Sequence, residues 1–167
     1  GADLVVAQTV SGVMEGLKII LLIFSAFTIL KVMTKTGAIE KVKAVLAEIT
    51  DDRRAQLIII AVMFAIFLEG AAGAGSPAAI AAPFLVGLGF NPVTAAACAL
   101  LGDATPASWG GAGVTTIMGL GGVADYMSAA QASAMVGRFH MFGVALVPSL
   151  VLLVGFGPKG FKGIWPF

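Results

Sequence analysis

The fold class this sequence predicts is an all-α polytopic membrane protein, on three observations. Hydrophobic residues make up 59% of the chain and charged residues 11%. The apolar residues gather into runs of bilayer length, and the charges into a few clusters between them. Globular chains carry about a quarter charged residues because something must face water, so here most of the outside faces lipid. The net charge of +1 and the few aromatic residues give nothing to track or stack a nucleic acid. Cys98 is the only cysteine, which excludes disulfide frameworks, thiolate metal sites and paired redox chemistry within the chain and reads as a buried, inert thiol.

Val13 to Leu30 is a first span of about the 20 residues a bilayer needs, with Glu15 and Lys18 near its start, one turn apart on a shared face where they can pair, and Lys31 at its end. Residues 36–50 are a different kind of helix. Ile39, Val42, Leu46 and Ile49 fall on one face and Glu40, Lys41, Lys43 and Glu48 elsewhere, the pattern of an amphipathic helix lying in the cytoplasmic interface. Thr50 is placed to cap the next helix, whose apolar body, Leu57 to Leu68, rises only about 18 Å before meeting glycine. That shortfall predicts a break inside the membrane, at Glu69-Gly70-Ala71-Ala72-Gly73-Ala74-Gly75-Ser76-Pro77. A second apolar arm, Ala78 to Phe90, follows the break and ends at the turn signal Asn91-Pro92. The pattern then recurs: Val93 to Leu101, a second break from Gly102 to Gly113, and a resumption from Val114 to Leu120. Gly119 to Ser128 reads as a polar loop, Ala129 to Gly137 carries no assignment, and Met141 to Phe156 is the last span. Six of the ten basic residues lie between Lys31 and Arg54, which places that connection in the cytoplasm. Lys159 and Lys162 put the far end there too. Whether each broken helix crosses or turns back is open.

Two glycine-rich, discontinuous or re-entrant helices back to back are where chemistry is expected. Irregular backbone at membrane depth is tolerated only when buried in protein or lining a polar cavity. Broken helices also present free N–H groups and a positive half-helix dipole to a small anion. The candidate substrate-binding residues are Gly70, Gly73, Gly75, Ser76, Pro77, Thr105, Ser108, Gly110, Gly111, Gly113, Thr115 and Thr116: glycines for close backbone approach, Pro77 for a first helical turn, hydroxyls for orientable hydrogen bonds. Glu69 and Asp103 flank the breaks. An intramembrane carboxyl is costly unless partnered, protonated or functional, which makes them candidates for proton coupling, with helix capping or pairing as the structural alternative. The same small residues also suit plain helix packing. His140, the sole histidine, beside Arg138, reads as an interfacial anchor with a proton relay as the alternative, and Trp109 as a pocket wall or a packing residue.

Several runs resemble the bacterial lactate permease family: Asp51-Asp52-Arg53-Arg54-Ala55-Gln56-Leu57, Phe67-Leu68-Glu69-Gly70-Ala71-Ala72-Gly73, Ser76-Pro77-Ala78-Ala79-Ile80-Ala81-Ala82-Pro83, Leu85-Val86-Gly87-Leu88-Gly89-Phe90 and Thr105-Pro106-Ala107-Ser108-Trp109-Gly110. The likeness is specific from about Lys31 to Thr116. Two positions depart from the family pattern: Ala74, where relatives usually have Phe, and Thr115-Thr116, where many have Thr-Pro. The resemblance implies a multi-pass symporter of the bacterial inner membrane that carries lactate, glycolate or a related 2-hydroxy monocarboxylate with protons. It further implies that residues 1–167 are one region of a longer permease, one half of an inverted-repeat transporter whose second repeat completes the site. No cofactor is expected. A channel or a non-transporting helical subunit has the same composition; an enzyme is not expected, since no metal cluster, nucleophile elbow or phosphate loop is present.

Overall fold

The computed structural model describes residues 2–73, 76–120 and 125–162, the side chains of 2, 22, 23, 26, 27, 30 and 76 excepted. The described residues are overwhelmingly helical, with three stretches long and apolar enough to cross a membrane: Asp3–Leu21, Arg53–Ala72 and Ala129–Phe161. α1 (Ala2–Lys35) starts earlier than the expected Val13 and runs past Leu30. Its large apolar side chains, from Leu4 to Val32, are mostly exposed, as lipid-facing residues are, and Lys18 pairs with Glu15 at 2.6 Å. Gly37, at φ 73°, turns the chain into α2 (Ala38–Glu48). Ile39 is buried, Val42 and Leu46 pack on the core, and the opposite face carries the Lys43–Glu40 pair.

The next helix corrects two expectations. Its N-cap is Asp52, whose carboxylate accepts from the Arg54 N–H, rather than Thr50; the Thr50 hydroxyl instead accepts from the Asp52 N–H. And the helix does not stop at Leu68. It passes from α3 (Arg53–Ile58) through a π-helical segment, Ile59–Phe64, into α4 (Ala65–Ala72), 20 residues in all, or about 30 Å at α-helical rise. The hydrogen-bond ladder persists through Gly70 as far as Gly73 N–H to Glu69 C=O, 2.8 Å, since a single glycine weakens a helix without ending it.

α5 (Ser76–Gly87) and α6 (Pro92–Asp103) form a hairpin of two 12-residue arms, each about 18 Å long. Asn91 caps α6 by accepting from Val93 and Thr94, with Pro92 in its first turn. A 3₁₀ turn, Ala107–Trp109, leads to α7 (Gly110–Gly119). α8 (Ala129–Phe156) is one 28-residue helix, which corrects the blank left at Ala129–Gly137. Its start is fixed by a capping box, Ser128 and Gln131 exchanging side-chain and backbone bonds at 3.3 and 2.9 Å, a Ser-x-x-Gln signature.

Between helices in lipid there is no hydrophobic drive, so close approach by small residues carries the packing. Ala61, Ala65, Ala81, Ala95 and Ala99 are fully buried. Gly102 is in contact so tight that a Cβ would run into the Ala61 carbonyl of the π segment. Around this seam lie Leu57, Ile60, Phe64, Phe84, Leu85, Cys98 and Val151. The thiol is buried, as expected, its Sγ 3.6 Å from the Val151 carbonyl.

Polar contacts tie three chain segments into one end of the bundle. The Arg53 guanidinium donates to the Leu88 carbonyl and lies 4.2 Å from the Phe90 ring centroid. Arg54 donates to the Lys162 carbonyl and pairs with Asp52 at 2.7 Å, and Phe90 meets Phe156 edge-on. The start of α3, the α5–α6 turn and the end of α8 therefore share this basic end, and α5 leads back to the end from which Arg53–Ala72 set out.

Candidate functional site

Away from the basic end, the two glycine-rich stretches touch. Gly73 closes α4 at φ 65°, ψ −163°, a region essentially reserved for glycine. A Cβ there would lie 2.8 Å from the Gly111 nitrogen and 3.3 Å from the Gly110 carbonyl carbon. Gly110 is equally committed: a Cβ on it would collide with Glu69 Oε1. Gly111, Ala112 and Gly113 follow with φ of 56°, 58° and 85°, a short left-handed stretch. Ala112 is the only described non-glycine residue at positive φ, at a cost of about 1–2 kcal/mol for an L side chain.

The two acids singled out from the sequence are brought together here. Glu69 is 5% exposed and hydrogen-bonds Asp103 side chain to side chain. Two ionised carboxylates only accept, so a hydrogen bond between them requires one of the two to carry a proton. The other Asp103 oxygen, Oδ1, and the Thr105 hydroxyl are buried without a hydrogen-bond partner among the described residues.

Ser108, Thr115 and Thr116 meet a short distance along the chain. The Thr115 hydroxyl lies 2.7 Å from the Ser108 carbonyl and 3.0 Å from that of Ala107, and Thr116 also donates to Ser108. These bonds fold the start of α7 back over the 3₁₀ turn, and the three residues line an open groove of about 350 Å³ with Gly119, Leu120, Ala132 and Val136. A second groove, of about 440 Å³, is bounded by Leu21, Ser25, Ile29, Ala71, Ala72, Gly111 and Ala112. Gly70 stands apart from these contacts, with open space where a Cβ would go. Pro77 is fully buried in the first turn of α5. Gly75, Ala74 and the Ser76 side chain lie outside the described residues.

α8 contributes side chains to this region that the sequence does not single out as site residues. His140 Nε2 is 3.0 Å from the Ser108 hydroxyl, the Trp109 ring lies 4.9 Å from the imidazole, and the indole N–H donates to Ser133 at 3.1 Å. Ser133 and His140, seven residues apart, are two helical turns apart on one face, a signal hidden while Ala129–Gly137 had no assignment.

The L-lactate permease family model matches residues 1–167. The chain belongs to the L-lactate permease family. It is 38% identical over 147 residues to the L-lactate permease of Bacillus subtilis (strain 168), covering 87% of this chain and 25% of that protein. The L-lactate permease of Escherichia coli (strain K12) is 35% identical over 161 residues, 96% of this chain and 29% of that protein. The glycolate permease GlcA of the same organism is 35% identical over 145 residues, 87% and 26%. The chain thus spans between a quarter and a third of the length of these relatives. The family is one of permeases, not enzymes, and with the apolar helices it makes this a multi-pass membrane protein. No solved structure matches the chain.

Proposed function

We propose that the chain is the part of a secondary transporter of the bacterial inner membrane that carries lactate, glycolate or a related 2-hydroxy monocarboxylate together with protons. The observation that carries this reading is the crossing of Gly73 over Gly110 and Gly111 with Glu69 and Asp103 packed against it. In a membrane, irregular backbone and a buried carboxyl pair are tolerated together only where they are packed in protein or serve a ligand or an ion.

In this reading α5 and α6 are a re-entrant hairpin, whose arms of about 18 Å fall short of the roughly 30 Å hydrocarbon core, and α2 lies in the cytoplasmic interface beside the basic end. The glycine backbone of residues 110–113 and the Ser108 hydroxyl offer donors for a carboxylate, while the Thr115 and Thr116 hydroxyls, whose protons go to the Ser108 carbonyl, keep lone pairs that can accept from its 2-hydroxyl. Glu69 and Asp103 hold the coupled proton. A second, inverted repeat elsewhere in the protein supplies the remaining half of the site.

The test is uptake of labelled L-lactate into vesicles bearing the intact protein, with and without an imposed inward proton gradient. Saturable accumulation that requires the gradient is the expected result. Equilibration without accumulation overturns symport in favour of a channel, and absence of uptake overturns the substrate assignment.

A further inference from the structure

We propose that His140 is a positioning residue for substrate recognition: by fixing the direction of the Ser108 hydroxyl, it sets how well the site tells a 2-hydroxy acid from the same acid lacking that hydroxyl. The proposal rests on the reading of Ser108 as a substrate contact.

Ser108 is anchored everywhere except at its hydroxyl rotor. Its carbonyl is occupied by Thr115 and Thr116, and its residue lines the 350 Å³ groove. A hydroxyl carries one proton and two acceptor lone pairs, so what it shows to the groove depends on what it does behind. Behind it stands His140 Nε2, at 3.0 Å. If the ring nitrogen accepts, the Ser108 lone pairs face the groove and receive a substrate hydroxyl; if it donates, the Ser108 proton faces the groove instead. Either way the imidazole decides, and it is absent from the groove lining.

The imidazole is itself held. Trp109 covers it at 4.9 Å while its indole N–H reaches Ser133, so the indole spans α8 from Ser133 to His140. Gly137 lies between them and leaves room: a Cβ there would be 3.9 Å from the ring carbon Cζ2. This is a supporting shell of the kind that fixes a contact residue's geometry, in place of the interfacial anchor that the sequence suggested.

The experiment is competition against labelled L-lactate uptake in vesicles bearing the intact protein, by unlabelled L-lactate and by unlabelled propionate. The ratio of their inhibition constants measures recognition of the 2-hydroxyl. His140→Ala lowers that ratio by about tenfold, because a polar site discriminates only while its partners are fixed. Gln places a nitrogen near the Nε2 position and Asn does not, so His140→Gln restores most of the ratio and His140→Asn does not. Trp109→Phe, which keeps a ring over His140 but loses the bond to Ser133, gives an intermediate value. A ratio unchanged in His140→Ala, or equal in the Gln and Asn variants, overturns the proposal even if maximal uptake falls, since lost packing alone reduces uptake of both acids together. Absence of lactate uptake by the unaltered protein would instead overturn the functional reading and this proposal with it.

Discussion

The basic end and the crossing of the glycine-rich stretches satisfy their polar groups in opposite ways. At the basic end, Arg53, Arg54 and Asp52 each have named partners, Gln56, 9% exposed, donates to the Thr50 carbonyl at 2.8 Å, and Asn91 caps α6. At the crossing, Asp103 Oδ1 and the Thr105 hydroxyl are buried without partners among the described residues, and Ala112 is held in a left-handed conformation. Unsatisfied polar atoms and backbone strain persist only where the surroundings over-determine them, which is characteristic of working sites. One end secures the helices; the other keeps donors and acceptors in reserve.

The comparison breaks most completely at the seam joining the two. Gly102→Ala drives a Cβ into the Ala61 carbonyl, and is expected to destabilise the bundle by about 3 kcal/mol or more, seen as loss of monodisperse protein after detergent extraction. At the crossing, Glu69→Gln keeps a hydrogen-bonding partner for Asp103 but cannot ionise. With the bond retained and the titratable proton lost, gradient-driven lactate accumulation should fall by on the order of a hundredfold while the thermal midpoint barely moves. Full accumulation would remove Glu69 from coupling. At the basic end the signature inverts: Arg53→Ala loses the Phe90 stacking and the Leu88 bond, about 2 kcal/mol of stability together, with affinity for substrate retained. Asp52→Ala removes an N-cap at a cost of about 1 kcal/mol.

Asp52 also gives a pH test. Its bond and charge pairing with Arg54 lower its pKa from 3.8 to about 2. A depressed carboxyl stabilises the fold fully above its unfolded value, and that contribution is lost as pH falls from about 4 through about 2. Acid unfolding of the purified protein should therefore flatten in this window in Asp52→Asn.

Much of this was legible in the sequence, because lipid imposes long apolar runs and glycine marks breaks. Glu69 and Asp103 stood out as acids inside apolar surroundings, and the structure brings them into contact. The errors have physical causes. The second helix outruns its apolar body by four residues because one glycine, Gly70, leaves the ladder closed, and it ends at Gly73, inside the glycine-rich stretch where a break is expected. Leaving Ala129–Gly137 blank overlooked the Ser128-Gln131 capping box, and with it the face that carries Ser133 and His140. Contacts such as Gly73 with Gly111, or Gly102 with Ala61, join residues far apart in the chain and have no local signature.

The π segment at Ile59–Phe64 has a consequence for everything downstream of it. A π turn accommodates roughly one residue more than an α turn, so each side chain after it is rotated by about 100° relative to an uninterrupted α-helix. Glu69 is among those side chains. Its aim at Asp103 and Gly110 is therefore set by backbone winding a full turn or more earlier. Removing one residue between Ile59 and Phe64 would restore regular winding and swing the carboxyl about a quarter-turn away, disconnecting the site without altering a single one of its residues.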